Sequence, residues 1–129
     1  AKKYAKELGF RMAIIDKERS KANVVDKMTL IGDVKDSDVI IIDDMIDTGG
    51  TILKALDILK ENGALEFHVF AAHGLYSNGA VDKFATNHNS PHVYSTNTLP
   101  LSNANDYVNV QQINVVGEFH KAIRKIFTK

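Results

Sequence analysis

The chain has 129 residues, 44% hydrophobic and 25% charged, with a formal net charge of zero. That is about one domain with enough apolar material for a core, and its neutrality argues against a general nucleic-acid surface, which needs an excess of Lys and Arg. No apolar run approaches the ~20 residues of a membrane span, no signal-peptide pattern is present, and the lack of cysteine excludes disulfides and thiolate metal sites and fits a reducing compartment.

Ala1, Tyr4, Ala5 and Leu8 recur at helical spacing, and Gly9 stands where a helix would stop, so a helix is expected over 1–8. It has no start signal and no initiating Met, which makes a fragment of a longer chain the expectation. A strand is expected over 11–15, followed by a polar segment over 16–27 with no period. A short strand over 28–31 ends in a Gly32-Asp33 turn. Asp38 precedes the strongest strand, 39–43. Ile52, Ala55, Leu56 and Leu59 mark an amphipathic helix stopped by Asn62-Gly63. A strand over 66–72 follows, then a helix marked by Val81, Phe84, Ala85 and His88. A strand over 92–96, another within 108–115, and a helix marked by Phe119, Ala122, Ile123 and Ile126 complete the chain.

Strands separated by helices predict an α/β fold, a mostly parallel sheet flanked by helices on both faces. The run Val39-Ile40-Ile41-Ile42 is apolar at every position, as a central strand buried on both sides should be. Ligands of open α/β sheets sit beyond the carboxyl ends of the strands. That rule places residues 43–51 at the ligand crevice.

Those residues read Asp43-Asp44-Met45-Ile46-Asp47-Thr48-Gly49-Gly50-Thr51. A helix cap needs one acid, not three, and like charges this close repel. A cation or a hydroxyl-rich ligand would offset that repulsion. Adjacent residues at a strand end point in opposite directions, so Asp43 and Asp44 serve different neighbours. Thr48-Gly49-Gly50-Thr51 taken alone is an ordinary tight turn. Between a strand and a helix it becomes a cradle whose backbone N–H groups and hydroxyls take a phosphate. It is not a Walker loop, because the Gly-Lys-Ser/Thr ending is missing.

The stretch Ile15-Asp16-Lys17-Glu18-Arg19-Ser20-Lys21-Ala22-Asn23 alternates in charge and has no period. A solvated surface loop would look the same. The functional alternative is a lid carrying Lys17 and Arg19 over a reacting phosphate, since cations aimed at developing charge are what phosphoryl transfer needs. The five histidines show no metal spacing. His73, at a strand end before Gly74, is open between lining the crevice and a structural role.

The segment 39–51 resembles the phosphoribosyl pyrophosphate-binding motif of the type I phosphoribosyltransferase fold. Lys17-Glu18-Arg19 with Asn23, then Gly32-Asp33-Val34, His73-Gly74-Leu75 with Ser77, and Thr96-Asn97-Thr98-Leu99-Pro100 narrow the likeness. Together they resemble the C-terminal half of the ribose-phosphate pyrophosphokinases. The resemblance implies a single phosphoribosyltransferase-like domain over 1–129, the C-terminal half of a two-domain cytoplasmic chain. It implies transfer of a diphosphoryl group from magnesium-ATP to C1 of ribose 5-phosphate, with AMP leaving. Lys17 and Arg19 would be catalytic. Arg19, Asp43, Asp44, Asp47, Thr48, Gly49, Gly50 and Thr51 would bind ribose 5-phosphate, with Asp43 and Asp44 also able to reach it through Mg2+. The parent would be a homo-oligomer, a dimer or hexamer, with no nucleic-acid or membrane partner. ATP-binding residues and a pyrophosphate loop of the family have no counterpart here, so no useful synthetase activity is expected of these 129 residues alone. A purine or pyrimidine phosphoribosyltransferase and a non-catalytic synthetase-associated relative are the alternatives. No base-binding hood is evident against the first, and Lys17, Arg19 and the unbroken 43–51 loop weigh against the second.

Overall fold

The computed structural model describes residues 1–18, 27–101 and 107–128. The chain opens with helix α1 (Lys2–Leu8), for which Ala1 is the N-cap and Gly9, at φ 69°, the C-cap. The helix therefore starts one residue later than its apolar spacing suggested. Strands β1 (Ile14–Glu18) and β2 (Lys27–Ile31) pair antiparallel, Lys17 opposite Met28. The expected strand over 11–15 thus lies three residues further on, and the start of the polar segment is strand. Cross-strand pairing overrides the weak local preference of Asp16 and Lys17 for strand.

The main sheet contains β3 (Val39–Ile46), β4 (Phe67–Gly74), β5 (His92–Thr96) and β6 (Val110–Ile113), all parallel, in the order β3-β4-β5-β6. Helix α2 (Gly50–Glu61) joins β3 to β4, and helix α3 (Ala80–Ala85), preceded by a 3-10 turn Ser77–Gly79, joins β4 to β5. When strands add in one direction through right-handed crossovers, the connecting helices fall on one face. That face is the core: Ile52, Leu56 and Leu59 of α2 and Phe84 of α3 lie buried with Phe67, Val69, Val93 and Val110 of the strands. The opposite face carries stacked ring pairs, His68 with His92 and Phe70 with Tyr94, at centroid separations of 5.3 and 4.7 Å.

The fold is therefore the expected α/β sheet flanked by helices, although the helices that connect its strands pack on one face and not on both, and one expectation for β3 fails. Among the described residues it lies at the end of the strand order, not the centre. Its apolar run instead borders a groove of about 460 Å3, shared with Tyr4, Leu8, Phe10, Met12, Ile15 and Leu30. Ile40 is 41% exposed there. An all-apolar strand reports apolar neighbours on both sides, and those neighbours need not be strands.

Three other boundaries differ. β3 runs to Ile46, so Asp43 and Asp44 belong to the strand and not to its tip, and β4 runs to Gly74, taking in His73. Helix α3 stops at Ala85, where the Thr86 hydroxyl and N–H both donate to the Asp82 carbonyl, so His88 lies outside it. The last helix, α4 (Val116–Phe127), forms as its spacing predicts, yet none of its residues is buried.

Candidate functional site

At the carboxyl end of β3 the strand keeps its register with β4 but loses one pair and its alternation of burial. Asp43 pairs with Ala71 and Met45 with His73, while Asp44 and Ala72 are left out of the register. Burial alternates as far as Ala71; Ala72 and His73 are then both exposed and Gly74 is buried again. A break in alternation changes which face of the sheet the following side chains reach. Here it turns Ile46 inward, to 1% exposure, and leaves Asp43, Asp44 and Met45 exposed. The Asp44 N–H donates to Asp43 Oδ1 at 2.8 Å, which fixes the Asp43 carboxylate against its own backbone.

Beyond Ile46 the chain bends through Asp47 and Thr48 into α2. Gly49 is the N-cap of that helix at φ 75°, a left-handed conformation that glycine adopts without steric cost. No side chain caps the helix. The first N–H groups of α2 are thus available to an acceptor from outside the chain. The helix dipole favours an anion there by about 0.3–1 kcal/mol. Asp47, Thr48, Gly50 and Thr51 are exposed, and Gly49 is buried beneath them.

Lys17, Asp43, Asp44, Met45, Ile46, Asp47, Thr48, Gly49, Gly50, Thr51 and Ile52 line a single open cavity of about 320 Å3. Lys17 reaches it from strand β1, 26 positions before Asp43 in the chain. One cation, three carboxylates, two hydroxyls and a helix N-terminus thus surround one space. Such a set suits a ligand with a phosphate at one end and hydroxyls at the other. Arg19, with Ser20, Lys21, Ala22 and Asn23 of the same segment, lies outside the described residues.

Among the described residues no three His, Asp or Glu side chains converge as a metal cage. A magnesium ion commonly uses one or two carboxylates and completes its shell with substrate oxygens and water. The exposed Asp43 and Asp44 fit that requirement.

His73 is not among the residues lining this cavity. Its Nδ1 lies 2.7 Å from Thr98 Oγ1, which is 2.9 Å from Thr96 Oγ1, and Thr96 donates to the Ala72 carbonyl at 2.5 Å. The Thr98 hydroxyl also reaches the Ala72 carbonyl at 3.4 Å, so His73 Nδ1, Thr98, Thr96 and that carbonyl form one hydrogen-bonded cluster. The ring is held in place by the Thr96-Asn97-Thr98 segment, and the structural reading of His73 is the better supported.

Residue patterns gave no sign of the layer beneath the cavity. The Ile46 carbonyl accepts from the N–H groups of Leu75 and Tyr76 at 2.8 and 3.2 Å. Tyr76 donates to Ser95 Oγ at 3.0 Å, and burial pushes the Tyr76 phenol above its ordinary pKa, partly opposed by that bond. Among the described residues this layer is marked by left-handed conformations, Gly49 at φ 75° and Tyr76 at φ 52° among them. Neither is legible without coordinates.

Residues 3–129 match the phosphoribosyl synthetase-associated domain. A ribose-phosphate pyrophosphokinase of Haemophilus ducreyi is 46% identical over 116 residues, which cover 89% of this chain and 36% of the relative. One from Campylobacter jejuni is 39% identical over 127 residues, 98% of this chain and 40% of the relative. The crystal structure of phosphoribosylpyrophosphate synthetase from Mycobacterium smegmatis superposes with a TM-score of 0.86 at 34% identity, covering 98% of this chain and 40% of that one. The chain thus spans well under half the length of the curated relatives it matches. With the parallel sheet and the 39–51 segment in place, the chain belongs to the phosphoribosyl synthetase-associated domain family, and its likeness is to one part of the ribose-phosphate pyrophosphokinases.

Proposed function

We propose that this chain is the C-terminal domain of a ribose-phosphate diphosphokinase and forms the ribose 5-phosphate side of that enzyme's active site. The observation that carries the reading is the shared cavity: Lys17 and the 43–51 segment, distant in sequence, face the same space. The phosphate end of the sugar sits at the Asp47–Thr51 bend, where the N–H groups of α2 and the hydroxyls of Thr48 and Thr51 donate to it. Asp43 and Asp44 accept from the ribose hydroxyls.

In the proposed reaction the anomeric oxygen of ribose 5-phosphate forms a bond to the β-phosphorus of ATP and gives up its proton. The bond from that phosphorus to the bridging oxygen of the α-phosphate breaks, and AMP leaves. Lys17, with Arg19, stabilises the charge on the diphosphoryl group in transfer. Magnesium, when bound, neutralises substrate oxygens alongside Asp43 and Asp44. The rest of the ATP site belongs to a partner region of the parent, in keeping with the share of the relatives that this chain covers. The proposed parent is a cytoplasmic homo-oligomer. No helix among the described residues is long and apolar enough to cross a membrane.

Calorimetry with ribose 5-phosphate tests the reading. The 129-residue chain should bind the sugar phosphate, Thr48→Ala with Thr51→Ala should weaken binding, and ATP with magnesium should release no AMP. Wild-type chain that ignores the sugar phosphate would overturn the assignment of the site. AMP turnover by this chain alone would overturn its incompleteness. Pyrophosphate release from phosphoribosyl pyrophosphate and a free base would move the chain to the phosphoribosyltransferases.

A further inference from the structure

The geometry points to Phe84 as a positioning residue for the phosphate-binding bend, acting through Gly49 without touching the ligand; this rests on the ribose 5-phosphate reading. Gly49 sits with its α-carbon against the ring: a β-carbon built there would lie 2.8 Å from both Cε2 and Cζ of Phe84 and 3.8 Å from the Ala80 methyl. Phe84 and Ala80 are both fully buried. The ring is thus a fixed floor under the one residue whose left-handed conformation starts α2.

The other end of the bend is held by the same stretch of chain. Ile46 is 1% exposed, and its carbonyl is clamped by the N–H groups of Leu75 and Tyr76. The Tyr76 hydroxyl is in turn tied to the buried Ser95. Between these anchors, three positions apart, lie the exposed Asp47 and Thr48. The 74–84 stretch therefore grips the bend at its entry, through Ile46, and at its exit, through Gly49.

An anion held by N–H groups at a helix start depends on where those groups point. A shift on the order of 1 Å in such a supporting layer can lower function as much as loss of a contact. Replacing the ring by a smaller, branched side chain leaves space under Gly49. The bend and the first turn of α2 then lose their fixed direction while Asp47, Thr48, Gly50 and Thr51 all remain.

The test uses Phe84→Leu in the 129-residue chain, with Val110→Ala as comparator. Val110 is as fully buried as Phe84 but lies on β6 and lines no part of the cavity. Inorganic phosphate and ribose 5-phosphate are titrated while the Gly49, Gly50 and Thr51 amides are followed by NMR. Phe84→Leu should weaken both ligands on the order of tenfold, move those three amides without ligand, and speed exchange of the Leu53 N–H, which donates to the Gly49 carbonyl at 2.9 Å. Val110→Ala should lower melting temperature while sparing affinity. Equal affinity loss in the two variants would reduce Phe84 to a core residue and overturn the inference. Should Phe84→Leu fail to fold, Gly49→Ala is measured in Phe84→Tyr and wild-type backgrounds; independent, additive effects on the amides and on stability would equally overturn it. If the wild-type chain binds neither ligand, the ribose 5-phosphate reading falls, and unshifted amides with unchanged Leu53 exchange in Phe84→Leu would dispose of the positioning role separately.

Discussion

Gly74→Ala should be among the most damaging small changes in this chain. A β-carbon at Gly74 would stand 2.2 Å from Tyr76 Cε2 and 2.7 Å from Ser95 Oγ. Tyr76 cannot move aside cheaply, because its N–H is bonded to Ile46 and its hydroxyl to Ser95. Overpacking of a filled core costs about 1–3 kcal/mol. Displacing the ring also strands the hydroxyl of Ser95, 0% exposed, at a further cost of ~1–3 kcal/mol. The two effects involve the same atoms and do not add in full, so about 3 kcal/mol is expected. At ~2.1 cal/mol/K of unfolding entropy per residue, a chain of 129 residues should lose ~11 °C in melting temperature. Urea unfolding followed by circular dichroism, with the slope checked for constancy, measures the difference. A loss below ~0.5 kcal/mol, the size of an ordinary surface substitution, would refute the close packing of Gly74, Tyr76 and Ser95.

Gly117→Ala is the opposite case. Nothing lies within 4 Å of the β-carbon it would add to α4, so the change should stabilise by ~0.5 kcal/mol through helix preference, read in the same unfolding assay. Burial raises the pKa of Tyr76 above the ordinary 10.0, so above that pH the unfolded chain gives up the phenolic proton first. Stability should then fall with rising pH, by at most ~1.4 kcal/mol per pH unit from this group. Tyr76→Phe should remove that part of the slope, and alkaline melting curves with unchanged slope in the variant would disprove it. In a chain of the relatives' full length, Lys17→Ala should cut turnover by roughly 10²–10³-fold while sparing much of the ribose 5-phosphate binding. Unchanged AMP release would remove Lys17 from the catalytic machinery, and no AMP release by the wild-type full-length chain would favour a non-catalytic relative.

The alternation of β and α, the strongest strand and the acidic bend were legible in the sequence because each is written locally. Apolar spacing near 3.6 at Ile52, Ala55, Leu56 and Leu59 can only be an amphipathic helix, and these four are its buried residues. Asp43 to Thr51 lie consecutively, so their lining of one cavity follows from a strand-bend-helix step. Tertiary structure alone decided what depends on distant partners. Strand β1 forms over Asp16 and Lys17 because β2 pairs with it, and that pairing carries Lys17 to the cavity. The position of β3 at the end of the sheet order is set by which strands flank it, and an apolar run cannot encode that. The floor beneath the bend joins Gly49 to Phe84 and Gly74 to Tyr76 and Ser95 through atomic contact distances. A residue alphabet records size and polarity, whereas contact across 19 or 35 positions of chain exists only once the core has packed.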